Sequence, residues 1–154
     1  MTDLSGELYA RVEEYERTWN SHEASAVAAF FAEDADMLFG NEPIRSGRDA
    51  IRDWWADYFD LIEAARGGTF AIESLRLITA DVALLNVAST TAGRGVAGQG
   101  LSTRLARGTW VMVRRAGVWW IASLRGLPAE GDVRAGPGRD LDSEPATTQD
   151  LGHG

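Results

Sequence analysis

Few residues of this chain combine a reactive type with a position from which chemistry is reachable. Asp34 and Asp36 are a close acid pair, and a carboxylate held in an apolar pocket can move a proton. Strand alternation turns Asp36 or Met37 inward, not both; in the competing reading the acids stop a helix and face solvent. Arg125 ends an apolar run. Its pKa is too high for a base, but it can hold a carboxylate, phenolate or enolate, or else pair with an internal acid or cap a carbonyl. Asn86 sits mid-strand among apolar neighbours, and its side chain points in or out with equal warrant. Tyr15 is a core tyrosine or a hydrogen-bond donor to a ligand carbonyl. His22 reads as a cap or surface histidine, and His153 is far away. With no cysteine, a metal ligand set is missing and no metal or bound cofactor is expected. Gly93 to Gly98 spells G-x-G-x-x-G, yet a dinucleotide site needs a helix straight after it, and here a strand pattern follows.

The elements that must position these residues are legible from spacing. Leu8, Val12, Tyr15 and Trp19 make one helical stripe. A second helix is expected to bury Val27, Phe30 and Phe31 and to break at Asp34–Asp36, before a short strand over Met37–Phe39. Ser46 and Asp49 have capping-box spacing for a third helix from about Gly47 to Ala65, with Ile51, Trp54, Trp55, Tyr58 and Ile62 as its stripe and Gly67-Gly68 as its stop. Four strands follow: one through Phe70, Ile72, Leu75 and Leu77 with an irregularity near Ser74, then Val82–Thr91, Leu101–Arg114 and Val118–Arg125. Ala116-Gly117 marks a hairpin. Pairing across it puts Trp110, Met112, Trp119, Ile121, Ser123 and Arg125 on one, concave face. Trp120, Ala122 and Leu124 then fall on the convex face, where an uncovered tryptophan argues for a homodimer packed sheet against sheet. Helices first and strands after make an α+β domain over residues 1–127. Residues 128–154 read as a disordered acidic tail, whose six acids against two arginines supply half of the net charge of −8.

That charge argues against nucleic acid or an anionic membrane as partner. No apolar run approaches the roughly 20 residues of a membrane helix, and the acidic start lacks the order of a signal peptide, so a cytoplasmic location is expected. Six tryptophans must line a core, a pocket or an interface.

The stretches Tyr15–Asn20, Phe30–Ala35, Gly47–Ile51, Val111–Arg115 and Gly117–Ile121 together resemble the nuclear transport factor 2-like superfamily, in its SnoaL-like and ketosteroid isomerase-like branch, closest to small proteins of polyketide and enediyne gene clusters. The resemblance spans roughly residues 5–127. It implies a cone: three helices on a curved mixed sheet that encloses a pocket for an apolar, polycyclic ligand. It also implies a catalytic tyrosine at Tyr15, a base at Leu38 or Phe39 and a partner acid near Trp110 to Met112. The last two places hold no acid here, so steroid-type isomerisation is not expected. The ligand-binding candidates are Trp19, Met37, Phe39, Trp54, Trp55, Tyr58, Asn86, Trp110, Met112 and Ser123; the catalytic candidates are Tyr15, Arg125 and Asp36. An enzyme or accessory protein acting on a hydrophobic ring substrate, a non-catalytic binding module and a dimerisation domain with a self-filled pocket all remain open.

Overall fold

The first helix forms where the apolar spacing places it. In the computed structural model, which describes residues 3–62, 66–94 and 101–128, α1 spans Leu4–Trp19. The Asp3 side chain caps it by accepting the Gly6 N–H, and Leu8, Val12, Tyr15 and Trp19 are all buried. Helix α2 (Ala24–Ala28) is a single short turn longer than a cap. Strand β1 (Phe31–Phe39) follows at once. This corrects the expectation that Phe31 belongs to a helix broken at Asp34–Asp36. Pairing with a strand 87 residues later in the chain overrides the local helical spacing, and Glu33 and Asp34 merely turn outward at an irregular point of β1.

Strand β2 (Arg45–Ser46) pairs with Met37 and Asp36. Helix α3 (Arg48–Leu61) starts at Gly47, whose φ of 93° lies in the left-handed region, and no side chain caps it. The expected Ser46–Asp49 capping box is therefore not made, because Ser46 is held in a strand. Ile51, Trp54, Trp55 and Tyr58 of the expected stripe are buried on α3, and Phe59 joins them; the helix ends at Leu61, short of the expected Ala65, and Ile62 is buried from extended backbone just past it.

The remaining strands are β3 (Gly67–Thr79), β4 (Val82–Arg94), β5 (Leu101–Arg115) and β6 (Val118–Pro128). Gly67 and Gly68 open β3 instead of merely ending a helix. The register of β3 shifts at Glu73, beside the expected irregularity. The six strands lie in the order β2-β1-β6-β5-β4-β3, with β1 parallel to β6 and every other pair antiparallel. Ala116 and Gly117 turn the β5–β6 hairpin with φ of 52° and 76°, as a two-residue turn matched to strand twist requires. One edge of the sheet is only two residues long. The other, β3, is tied to α1: Asn20 donates to the Gly68 carbonyl and accepts its N–H, and Glu16 accepts the Phe70 N–H.

One residue decides which side chains of β6 reach the core. Met112 pairs with Ile121 but Val111 pairs with Ser123, so Ala122 is an extra residue. Such a bulge reverses the in–out alternation beyond it. Trp119 and Ile121 point inward before it, and Leu124 points inward after it.

The Gly93–Gly98 motif enters β4 at Gly93 and Arg94; its other residues lie outside those described, and the chain resumes as β5, a strand. The acidic stretch after Pro128 also lies outside the described residues, while Pro128 itself ends β6. Among the described residues, no helix is long and apolar enough to cross a membrane.

Candidate functional site

Between the helices and the inner face of the sheet lies a cavity of about 50 Å³. Its walls are mostly rings. Helix α1 supplies Tyr15 and Trp19, and α3 supplies Trp54, Trp55 and Tyr58; Phe39 and Trp110 come from β1 and β5. These rings brace one another. Trp54 stacks on Tyr58 at 5.5 Å, and Trp55 stands edge-on to Trp54 at 4.9 Å. Tyr15 meets Trp110 edge-on at 4.9 Å. Gly126 leaves its side-chain space to the Phe39 ring, which lies directly against it. A space of this size holds a few waters, whereas a dry cavity that admits benzene measures about 150 Å³. A ring therefore fits only when side chains give way.

Sequence reasoning missed the far end of the cavity. Val87, Ser89 and Thr91 line it from β4, and the segment Leu105–Gly108 lines it from β5. The signal was present: the inward positions Ala83, Leu85 and Val87 continue as Ser89 and Thr91, an apolar series turning polar at its end. Next to this end is Arg66, only 2% exposed, which donates to Thr91 Oγ1 at 3.4 Å. His22 Nε2 meets the Arg66 carbonyl at 2.8 Å while its ring stacks on Phe59. His22 thus holds a loop in place and does not line the cavity.

Tyr15 is 1% exposed, and burial pushes its hydroxyl pKa far above the ordinary tyrosine range, with the nearby Tyr58 adding to the rise. It stays protonated at any physiological pH and can donate a hydrogen bond, but it is no base. No aspartate, glutamate or histidine lines the cavity among the described residues.

The other polar candidates lie elsewhere. Asp36, Ser123 and Arg125 meet on the outer face of the sheet: Arg125 Nη1 donates to Asp36 Oδ1 at 2.7 Å, and Ser123 Oγ donates to the same oxygen at 2.5 Å. The expected inward placement of Ser123 and Arg125 is thus corrected, and the cause is the extra residue Ala122. Met37 takes the inward position of β1, and Asp36 does not. The Arg125 hydrogen bond, then that of Ser123, holds the Asp36 carboxyl below the usual carboxylate range. Asn86 also faces outward, where it donates to Ser74 and accepts from Thr109 in an open groove of about 670 Å³. Met37 and Met112 are buried in the core and do not line the cavity. Leu124, expected on the convex face, lines it. Trp120 does face outward, half-buried, beneath the guanidinium groups of Arg11 and Arg48 at 5.8 and 5.6 Å. Among the described residues, no three side chains of metal-ligating type gather into a site.

A curved mixed sheet wrapped on helices, with an aromatic cavity between them, defines the cystatin-like, nuclear transport factor 2-like class. The SnoaL-like domain model matches residues 12–122, and the chain belongs to that family. No curated protein matches it. Among solved structures it is similar to a domain with a cystatin-like fold from Nostoc punctiforme, at 20% identity over 98% of this chain and 95% of that one, with a TM-score of 0.72. It is similar to a ketosteroid isomerase-like protein from Erwinia carotovora atroseptica, at 16% identity, 84% and 99% coverage and a TM-score of 0.71. It is also similar to ActVI-ORFA from Streptomyces coelicolor, at 16% identity, 82% and 98% coverage and a TM-score of 0.71. At these identities the likeness is one of fold.

Proposed function

We propose that this domain binds a hydrophobic, ring-bearing small molecule in the cavity between α1, α3 and the sheet, as an accessory or tailoring protein for polyketide-like substrates. The observation that carries the reading is the wall itself: Tyr15, Trp19, Trp54, Trp55, Tyr58 and Trp110 face one space with few polar groups among them. With no carboxylate or histidine in the described lining, the wall offers apolar contact, hydrogen-bond donation from Tyr15 and, at its far end, the polar groups of Ser89, Thr91 and Arg107. That suits binding or polarising a carbonyl better than abstracting a proton. Asp36 and Arg125 drop out of the catalytic set because they satisfy each other outside the cavity.

The test is a titration with aromatic polyketide analogues, read by calorimetry. Binding that weakens in Tyr15→Phe without unfolding supports the reading; no binding by any analogue rejects it.

A second reading is favoured by the size of the space. At about 50 Å³ the resting cavity is nearly filled by its own rings, which suits a self-packed dimerisation module. The outer sheet face around Trp120, with Leu124 no longer on it, is the surface we propose for a second copy. A monomer in sedimentation equilibrium rejects this reading.

A further inference from the structure

We infer that the Trp55 indole N–H is a second donor, beside the Tyr15 hydroxyl, that reads a hydrogen-bond acceptor on the ligand, so that the cavity prefers a ring bearing a carbonyl or ether oxygen over the bare hydrocarbon. The inference rests on the ligand reading of the cavity given above. Trp55 is 6% exposed and lines the cavity. Its Nε1 has no acceptor among the described residues. Its ring neighbours are Trp19, Trp54, Tyr58 and Phe59, which cover it with faces and edges.

The contrast with Trp119 is informative. That indole is also buried, and its Nε1 donates to Glu7 Oε1 at 3.0 Å. Burying an N–H without an acceptor forfeits its hydrogen bonds to water, so such groups are rare in a folded chain. Trp55 borders the cavity, so a ligand that enters as the rings give way can supply the missing acceptor. An indole N–H is neutral and donates only, so the fitting partner is a neutral oxygen about 2.9 Å away. Trp55 thus adds to the Tyr15 hydroxyl a second donor for an oxygen-bearing ring.

The experiment uses the full chain labelled with ¹⁵N, so that the indole N–H signals of its six tryptophans are followed separately. Two probes of one skeleton are titrated: 1-indanone, which carries a carbonyl, and indane, which does not. The expected result is a downfield shift of the Trp55 indole proton with indanone only, and about fivefold tighter binding of indanone. In W55F that preference shrinks while both probes still bind. If both bind wild type equally and the Trp55 signal moves no more than the others, the inference is overturned and the ligand reading stands. If neither perturbs any indole signal, the ligand reading itself falls. The wild-type comparison stands alone should W55F fail to fold.

Discussion

Arg125 Nη1 lies 2.7 Å from Asp36 Oδ1 across the parallel β1–β6 pair, on the side of the sheet away from Tyr15. Each is the other's partner, and Ser123 Oγ completes the cluster on the same carboxylate oxygen. The arrangement joins two strands and leaves neither charge inside the cavity.

Asp36→Asn and Arg125→Gln should therefore leave ring binding intact. The pair is about two-fifths exposed, so each variant should lose less than about 1 kcal/mol in urea unfolding. The carboxyl is held below its ordinary range, so its contribution is present above the unfolded pKa and is lost as pH falls through the folded one. Unfolding midpoints at neutral and strongly acidic pH should differ less in Asp36→Asn than in wild type. A variant that abolishes ligand binding would return these residues to the site.

The bulge at Ala122 makes a sharper forecast. Leu124 is 5% exposed and Ser123 lies on the opposite face. Leu124→Ala should cost about 2–5 kcal/mol, and Ser123→Ala about 1 kcal/mol. Equal, small losses in denaturant melts would mean that β6 keeps simple alternation.

Tyr15 should ionise only far above the ordinary tyrosine range. The chain has three, and Tyr9 is half exposed. In an alkaline absorbance titration Tyr15→Phe should remove a late component. Because the folded pKa is raised, stability is full below the ordinary tyrosine range and falls as pH rises above it. A Tyr15→Phe variant that loses only early absorbance would contradict the burial.

Gly126→Ala should push the Phe39 ring out of its seat, since the added methyl occupies space the ring now fills. Overpacking of this kind costs about 1–3 kcal/mol. A thermal melt unchanged from wild type would show that the ring has room to move.

What could be read from the residues was what repeats locally. The stripe Leu8, Val12, Tyr15, Trp19 and that of α3 fix two helices and most rings of the cavity, because helical spacing and burial obey one rule. Ala116-Gly117 fixes a hairpin through backbone preference alone. The rest depends on partners distant in the chain. Phe31 looks helical until β6 is beside it. Ala122 looks like any strand residue, and no glycine or proline marks it as extra. Asp36 and Arg125 are 89 residues apart, and the parity that separates them from the cavity hangs on that one unmarked residue.

The hold of Glu16 and Asn20 on β3 has a consequence for how this chain behaves in company. A bare sheet edge recruits other strands. At Gly68 and Phe70 the outward backbone groups are already spoken for by a helix of the same molecule, and the opposite edge, β2, is too short to template anything. Among the described residues, the later part of β3, with Leu77 and Ile78 exposed, is the edge left open to fibrous growth. Glu16 of α1 and Asn20, which caps its end, thus shield the start of this edge from polymerisation.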